Sequence, residues 1–257
     1  MSSIALTDGQ FGLLYNVFSF GLISMLACTV YTLVSQSRVL PKYRAALVMS
    51  SMVTFIAGYH YMRIFNSFHE SFANGSLKTG TGQGAFNEAY RYVDWILTVP
   101  LLLVEVIAVL GLAKAAASSL ISRLVPASAA MIALGYPGEI SSDNNTKIIF
   151  GVLSTLPFLY ILYVLFVELS KSLDRQPDGV AATVGRLRLL LIATWGVYPI
   201  SYLLPITSDN AATDPSAFVN RQIGYTVADV LAKCVFGLTI FKIAKMKSVA
   251  EGMKDDY

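Results

Sequence analysis

Long apolar stretches alternate with short polar stretches along almost the whole chain. A helix that crosses a bilayer needs about 20 predominantly apolar residues. Seven stretches meet this requirement, and the helices that they predict, lettered A to G, are Phe11–Val34, Tyr43–Ser67, Glu88–Leu112, Leu120–Tyr136, Lys147–Leu169, Val184–Leu204 and Ala217–Ala244. The connecting segments are rich in Gly, Pro, Asn, Asp and Ser, and none is long enough for a second domain. The pattern therefore predicts an all-α membrane protein whose residues 1–257 form a single bundle of seven transmembrane helices.

The composition agrees with a membrane protein. Of the 257 residues, 55% are hydrophobic and 14% are charged, whereas about a quarter of the residues of a soluble domain are charged. The net charge of +3 is modest, so a nucleic-acid partner has no support. Cys28 and Cys234 lie far apart in apolar stretches, and we expect no metal site. The expected surroundings are those of a lipid bilayer.

Lysine and arginine are unevenly distributed between the two ends of the predicted helices. The A–B, C–D and E–F connections and the C-terminal tail carry Arg38, Lys42, Arg44, Lys114, Arg123, Lys171, Arg175, Arg186, Arg188, Lys242, Lys245, Lys247 and Lys254. The opposite side carries Arg63, Lys78, Lys147 and Arg221. Because basic loops stay in the cytoplasm, we expect the N-terminus outside and the C-terminus in the cytoplasm. Two basic residues, Arg91 and Lys233, are then left within the bilayer.

Helix C carries charged residues inside its apolar span, RYVDWILTVPLLLVEV. Asp94, Thr98 and Glu105 share one face, because four residues make about one helical turn and eleven make about three. Arg91 lies on the same stripe. Asp94 and Glu105 are roughly 16 Å apart along the axis, at 1.5 Å per residue. Since intramembrane charge is costly and usually functional, the pattern indicates two functional carboxyls at different depths of the bilayer, one towards the outside and one towards the cytoplasm.

Helix G places Asp229 and Lys233 four residues apart on one face. A buried lysine tends to lose its proton, and a neutral amine can condense with an aldehyde to form a Schiff base. Once protonated, that group needs counter-ions, for which Asp229 and Asp94 are available. A lysine–aspartate pair that only fixes helix packing has the same spacing, and the spacing alone leaves both interpretations open.

Three separated motifs, RYVDWILTVPLLLVE on helix C, WGVYPISYL on helix F and ADVLAKCVFGL on helix G, together resemble the microbial rhodopsins. The match covers all seven helices in order. The resemblance implies all-trans retinal bound covalently to Lys233 as a protonated Schiff base. It also implies Asp94 as primary counter-ion and proton acceptor, and Asp229 as second counter-ion. Arg91 matches the arginine that orders the extracellular half-channel.

Asp94, Thr98 and Glu105 occupy the three positions that sort this family by transported ion, and they resemble the outward proton pumps of the proteorhodopsin and xanthorhodopsin groups. The resemblance implies a light-driven outward proton pump, a transporter and not an enzyme, in the cell membrane of a prokaryote, assembled as a trimer or pentamer. Glu105 lies among apolar residues, where burial favours the protonated form that a proton donor needs. The charges of Arg91 and the protonated Schiff base favour an ionised Asp94.

Two alternatives remain. A photosensory receptor of the same fold would share the pocket, but it has no need of a carboxyl donor such as Glu105. A seven-helix receptor or channel without photochemistry would form no coloured pigment with retinal. For Glu105, the alternative is a carboxyl that hydrogen-bonds to a neighbouring helix and transfers no proton.

Further site residues follow from the resemblance. His60 is expected beside Asp94 as its hydrogen-bonding partner, although a lone buried histidine is more often an ordinary core residue. Thr98 is expected to bond the Asp94 carboxylate, although such a hydroxyl is often only a packing group. Tyr61 and Tyr198 match the partners of the helix-G aspartate. The positions that match the retinal pocket are Trp95, Leu102, Met131, Ser154, Thr155, Phe158, Trp195, Tyr198 and Tyr202, with Trp95 and Trp195 on either side of the polyene and Leu102 at the spectral-tuning position.

Helix E resembles a stretch of bacteriorhodopsin in which the position of Gly151 is a tryptophan. The glycine implies an opening beside the expected position of the retinal ring. Members similar to xanthorhodopsin use this opening for a carotenoid antenna, and the alternative is a glycine that allows close helix packing. The chain departs from bacteriorhodopsin at the proton-release group, since the paired glutamates are absent and Arg221 stands at one of their positions.

Overall fold

The computed structural model describes residues 2–79, 83–141, 143–177, 179–203, 206 and 214–254. These residues form seven long helices in one bundle and a small sheet at one end. Helices α1 to α6 are Asp8–Val34, Pro41–Ser71, Ala89–Leu110, Lys114–Ile140, Asn144–Leu173 and Val180–Leu203, with a short 3-10 turn, Ser35–Arg38, after α1. The seventh, α7, has three consecutive segments, the α-helix Pro215–Asp229, the π-helix Val230–Val235 and the α-helix Phe236–Ala250.

The seven predicted helices are confirmed in number and order, and α1 to α6 are each long and apolar enough to cross a membrane. The two α-helical segments of α7 have only 15 residues each because the π segment separates them. The largest differences from the predicted bounds are the end of α7, at Ala250 rather than Ala244, and the start of α4, at Lys114 rather than Leu120. The predicted bound followed hydrophobicity, whereas the stretch KAAASS is helical through its high alanine content. The predicted end of helix F, Leu204, lies outside the described residues.

Local caps explain where several helices begin and end. The Thr7 hydroxyl accepts from the backbone N–H of Gln10, and the Gln10 side chain accepts from the N–H of Thr7, which forms a capping box before α1. Asp143 caps α5 by accepting from the N–H and the hydroxyl of Thr146, and these bonds lower the pKa of the Asp143 carboxyl. Gly111 ends α3 in the left-handed conformation (φ 66°), which glycine adopts without steric penalty.

The sequence predicted only a loop between helices B and C, and the structure contains a sheet there. Strands β1 (Ser2–Ala5), β2 (Phe72–Ala73) and β3 (Ser76–Thr79) pair antiparallel in the order β1-β3-β2. The turn between β2 and β3 is Asn74–Gly75, with positive φ at both residues. Asn-Gly is a strong hairpin signal, so this hairpin could have been found from the sequence, whereas its pairing with the N-terminal strand could not.

Apolar side chains lie on both the inside and the outside of the bundle. Leu47 and Ile161 are fully buried in the main core, while Phe20, Leu156 and Tyr163 are more than half exposed on the outer surface. Such an apolar exterior is unfavourable in water and suits contact with lipid chains. The interior also contains a set of buried charged groups, and these define the site.

Candidate functional site

A buried lysine lies between two carboxylates inside the bundle. The Nζ atom of Lys233 donates to Asp94 Oδ2 at 2.6 Å and to Asp229 Oδ1 at 2.7 Å. Asp94 belongs to α3, whereas Asp229 and Lys233 are four residues apart on α7. All three side chains are at most 2% exposed. Charges buried this deeply are tolerated only when they are paired, so the three groups form one unit.

Lys233 lies within the π-helical segment of α7, Val230–Val235. Such segments are rare and occur frequently at functional sites. The backbone carbonyl of Cys234 accepts a weak hydrogen bond from the Cys28 thiol of α1, at 3.7 Å. The sequence did not predict the π segment, because no residue type marks a change from i→i+4 to i→i+5 bonding.

Asp229 is held by several donors besides Lys233. They are Tyr61 Oη at 2.8 Å, Tyr198 Oη at 2.8 Å, Trp95 Nε1 at 3.3 Å and Arg91 Nη1 at 3.5 Å. Tyr61 and Tyr198 thus contact the helix-G aspartate as predicted. Because hydrogen bonds and a cation favour the charged form of a carboxyl, the surroundings stabilise Asp229 as an anion.

Asp94 accepts fewer hydrogen bonds than Asp229. Its Oδ2 accepts from Lys233, whereas its Oδ1 is buried and has no hydrogen-bond partner within the described part of the chain. A buried carboxylate oxygen without a hydrogen-bond donor makes the anionic form costly. Of the two carboxylates beside Lys233, Asp94 therefore has fewer hydrogen-bond donors around it.

Two predicted contacts of Asp94 differ in detail. His60 lies beside Asp94, but its Nδ1 is 4.0 Å from Asp94 Oδ1 and 2.9 Å from the carbonyl oxygen of Ile56. The hydroxyl of Thr98 donates to the backbone carbonyl of Asp94 at 2.9 Å rather than to the carboxylate. In both cases the carbonyl four residues earlier on the same helix captures the polar group, which is a frequent local alternative in helices.

A cavity of about 120 Å³ adjoins Lys233 and is lined by every residue predicted for the pocket. This volume is roughly ten times the minimum that holds a single water. The lining residues are Tyr92, Trp95, Val99, Leu102, Met131, Ile132, Gly135, Gly151, Ser154, Thr155, Phe158, Trp195, Tyr198, Pro199, Tyr202, Tyr225, Ala232 and Lys233. The sequence missed seven residues of this set, since nothing in their spacing separates them from core positions: Tyr92, Val99, Ile132, Gly135, Pro199, Tyr225 and Ala232.

The cavity is apolar although several hydroxyls lie in its wall. Ser154 donates to the carbonyl of Met131, and Tyr202 donates to the carbonyl of Lys147, both at 2.8 Å. With these hydroxyls bonded to backbone, aromatic and aliphatic surfaces dominate the wall. A long apolar molecule with an aldehyde at one end fits this combination of an apolar wall and an amine.

Glu105 lies eleven residues after Asp94 on α3 and is completely buried. Neither of its carboxyl oxygens has a hydrogen-bond partner in the chain segments that the structure covers. Gly237 of α7 packs closely beside this carboxyl. A Cβ atom at position 237 would clash with Ser50 Oγ and would lie 3.8 Å from Glu105 Oε1, so a larger side chain has no room there. Leu102, about one turn earlier, and Val106, the next residue, are also buried. An unpaired carboxyl in such surroundings is more stable with its proton than without it.

A chain of polar contacts leads from Asp229 towards the end of the bundle that carries the N-terminus. Arg91 is 2% exposed and donates to Gln222 Oε1 at 2.9 Å. Gln222 in turn donates to Glu88 Oε1, also at 2.9 Å. Arg91 was predicted from the sequence, whereas Gln222 and Glu88 were missed because a single amide or a helix-end glutamate carries no distinctive signal.

Fold and site together define a class of protein, a seven-helix membrane bundle with a buried lysine–aspartate centre beside an apolar cavity. The family model described as bacteriorhodopsin-like protein matches residues 13–246. The chain belongs to the bacteriorhodopsin-like protein family.

Relatives and solved structures agree with this membership. The chain is 30% identical over 237 residues to the green-light absorbing proteorhodopsin of Gamma-proteobacterium EBAC31A08, covering 91% of this chain and 88% of the relative. It resembles the structure of xanthorhodopsin, described as a light-driven ion pump with dual chromophore, with 44% identity, a TM-score of 0.88 and coverage of 99% of this chain and 100% of the other. A thermophilic rhodopsin gives 42% identity, a TM-score of 0.89 and coverage of 97% and 99%.

Proposed function

We propose that this protein is a light-driven pump that moves protons outward across the cell membrane of a prokaryote. One arrangement carries the proposal: Lys233 Nζ contacts the carboxylate of Asp94, and a second buried carboxyl, Glu105, lies three turns further along the same helix. An acceptor that is ready to take a proton and a donor that holds one are the two groups that vectorial transfer requires. The similarity to proteorhodopsin and to a light-driven ion pump supports the same function.

The family implies retinal on the lysine of α7, and the amine and apolar cavity at Lys233 fit this cofactor. When bound there, retinal supplies a C=N linkage at Nζ and a light-driven change of shape that alters the direction and acidity of the proton on that nitrogen. Trp95 and Trp195 would lie along its chain, and Leu102 beside the nitrogen. The remaining predicted contacts are Met131, Ser154, Thr155, Phe158, Tyr198 and Tyr202.

The chain's own groups then move the proton. It passes from Nζ of Lys233 to Asp94, whose free Oδ1 faces the ring of His60. Asp229 stays anionic because tyrosine and arginine donors hold it. Thr98 keeps the first turn after Asp94 in place through its bond to the backbone carbonyl. Glu105 afterwards supplies a proton to Nζ from the cytoplasmic side.

The direction of transport follows from the orientation of the bundle. Because basic loops stay in the cytoplasm, we expect the end that carries Glu105 in the cytoplasm and the end that carries Arg91 outside. A proton accepted by Asp94 and replaced from Glu105 therefore travels outward. The apolar outer surface would contact lipid and neighbouring copies, and we propose a homo-oligomer, a trimer or pentamer, as the family resemblance implies.

The proposal is tested with the protein reconstituted with all-trans retinal in cells or oriented vesicles. Illumination should acidify the medium outside cells, and a protonophore should abolish the signal. A coloured pigment with a slow cycle and no net proton movement would favour the photosensory receptor. Failure to form any pigment would favour a receptor or channel without photochemistry.

Replacing Glu105 by glutamine is expected to slow the return of the proton to the nitrogen at Lys233 by roughly a hundredfold, because the amide cannot supply one. Flash spectroscopy at neutral pH measures this rate. Glu168→Gln, at a partly exposed glutamate near the end of α5, is the matched control and should leave the rate unchanged. An unchanged rate in Glu105→Gln would show that the proton comes from elsewhere.

We further propose that a carotenoid binds at Gly151 as a light-harvesting antenna. Gly151 lines the cavity and is itself partly exposed on the bundle surface. The ring of Tyr202 stands against it, since a Cβ atom at Gly151 would lie 2.9 Å from Tyr202 Cε1. The similarity to xanthorhodopsin, described as having a dual chromophore, supports this proposal.

Gly151→Trp is expected to abolish energy transfer from an added carotenoid while the retinal pigment still forms, because the indole would fill the opening. The excitation spectrum of proton pumping measures the antenna band. Gly185→Trp serves as control, since a Cβ atom at Gly185 meets no atom within 4 Å. Persistence of the antenna band in Gly151→Trp would place the carotenoid elsewhere.

A further inference from the structure

A second cavity opens at the end of the bundle opposite the N-terminus, and its volume is about 700 Å³. The start of α2, the ends of α3 and α7, the first turns of α4 and the segment after α5 surround it. Its charged and amide side chains are Lys42, Arg175, Gln176, Lys247 and Glu251. Among the described residues, none lines both this cavity and the one beside the retinal lysine. The cavity is therefore a separate candidate site.

The charges around this cavity do not balance. Lys42 forms an ion pair with Glu251, which also accepts a hydrogen bond from Tyr43 Oη at 2.6 Å. Arg175 and Lys247 have no carboxylate within ion-pair distance in the part of the chain that the structure describes. Two cations thus remain without a counter-charge, and their combined field favours an anion in the cavity.

Lys247 is the more informative of these two cations, because it is only 6% exposed. Its Nζ donates to the carbonyl oxygens of Val109 at 3.1 Å and of Leu110 at 3.0 Å. These bonds hold the ammonium group against the end of α3. An ammonium group has three N–H donors, so one donor is left for a ligand in the cavity. A buried charge of this kind is costly unless an opposite charge accompanies it.

Two further groups at the wall lack partners within the chain. Gln176 Nε2 donates to the carbonyl of Ser172 at 3.1 Å, whereas its Oε1 is buried and has no hydrogen-bond partner among the described residues. Ala113, which lines the cavity just before α4, provides no side-chain cap for that helix. The first N–H groups of a helix need acceptors and favour an anion. A ligand that carries both a negative charge and a hydroxyl group would satisfy these donors and the Gln176 acceptor.

We propose that this cavity binds a phosphate group, with Lys247 and Arg175 as its cationic contacts. A phosphate has several acceptor oxygens, which donors on different helices can reach together. This chemistry has two sources, an anionic membrane lipid with a hydroxylated headgroup and free inorganic phosphate. The proposal does not depend on the direction of proton transport.

The rest of the wall favours the lipid. The residues that α3 and α4 contribute along the cavity are apolar: Val104, Ile107, Ala108, Ala117 and Ile121. Free phosphate gains nothing from such a surface, whereas the acyl chains of a lipid gain from leaving water against it. Phosphatidylglycerol, with one negative charge and two headgroup hydroxyls, combines the required properties.

The two sources are distinguished with the full-length pigment. In nanodiscs of phosphatidylcholine it is titrated with inorganic phosphate in a calorimeter. In a parallel arm it is purified from vesicles of phosphatidylcholine and phosphatidylglycerol, and native mass spectrometry identifies the lipid that stays bound. We expect phosphatidylglycerol to be retained and inorganic phosphate to give no heat of binding. Heat from inorganic phosphate without a retained lipid would assign the site to the free anion, and neither signal would overturn the proposal.

Arg175→Gln links the binding to this cavity. The concentration of phosphatidylglycerol, or of inorganic phosphate, that half-fills the site should rise by about tenfold or more, because a hydrogen bond from a charged donor is lost. Arg175 is exposed, so the pigment should form normally. Lys171→Gln, at an exposed lysine at the same end that pairs with Glu168, is the matched control and should bind as the unsubstituted protein. Unchanged binding in Arg175→Gln, or an equal loss in the control, would refute the site.

Lys247→Met tests the buried contact while keeping an apolar side chain of similar length. We expect a further loss of binding of about tenfold or more when it is combined with Arg175→Gln. Lys247 also holds the end of α3, so the absorption spectrum of the pigment is recorded first as a check of folding. If this variant fails to fold, the exposed Arg175 decides the outcome. A folded double variant that binds as tightly as Arg175→Gln alone would exclude Lys247 as a contact.

Discussion

Replacing Lys233 by alanine is expected to leave a protein that forms no stable coloured pigment with retinal. Lys233 is the amine in the cavity wall, and no other lysine lines that cavity within the described residues. Absorption spectra after addition of retinal measure the result. Lys242→Ala, at an exposed lysine further along the same helix, should form the pigment normally.

The same substitution also removes the cation between Asp94 and Asp229. Breaking a buried ion pair costs about 3–5 kcal/mol, so poor folding is a second cause of a colourless variant. Lys233→Ala combined with Asp94→Asn removes both charges and should fold better while remaining colourless. Borohydride reduction of the unsubstituted pigment, followed by peptide mapping, should find retinal on Lys233. A modified peptide without Lys233 would contradict the assignment.

Replacing Asp94 by asparagine is expected to reduce light-driven acidification by roughly a hundredfold or more, because the amide cannot accept the proton from Lys233. The pigment should still form, since Asp229 remains 2.7 Å from Nζ as a counter-ion. The measurement is the initial rate of acidification under saturating light, normalised to pigment content.

Asp174→Asn, at an exposed aspartate after α5, is the control and should pump at the normal rate. Full pumping by Asp94→Asn would exclude Asp94 as the acceptor. Loss of pumping with normal pigment in Asp94→Asn, together with normal pumping in the control, would support the direct contact between Asp94 and Lys233 as the route of the first transfer.

Much of the site was predictable because it depends on spacing along single helices. Asp94 and Glu105 were placed on one face of α3 by the helical repeat, and Asp229 and Lys233 by their four-residue spacing on α7. The resemblance to microbial rhodopsins then identified pocket positions that the residue types alone do not reveal. All of these positions line the cavity in the structure.

Other features depend on contacts between helices that are distant in sequence. The difference between Asp94 and Asp229 arises because tyrosines of α2 and α6 reach only Asp229. The position of the Thr98 hydroxyl was mispredicted because a backbone carbonyl on its own helix competes for the bond. The pairing of Glu139 with Arg221 joins α4 to α7, and neither residue carries a sequence signal for the other.

The sequence by itself determined the seven helices, their membrane character and the intramembrane charges, because apolar length and helical periodicity are local properties of the chain. Only the tertiary structure decided which carboxylate is saturated, where the π segment lies and how Arg91 connects through Gln222 to Glu88. Hydrogen-bond partners and electrostatic fields act through space. They exist only once the helices have packed.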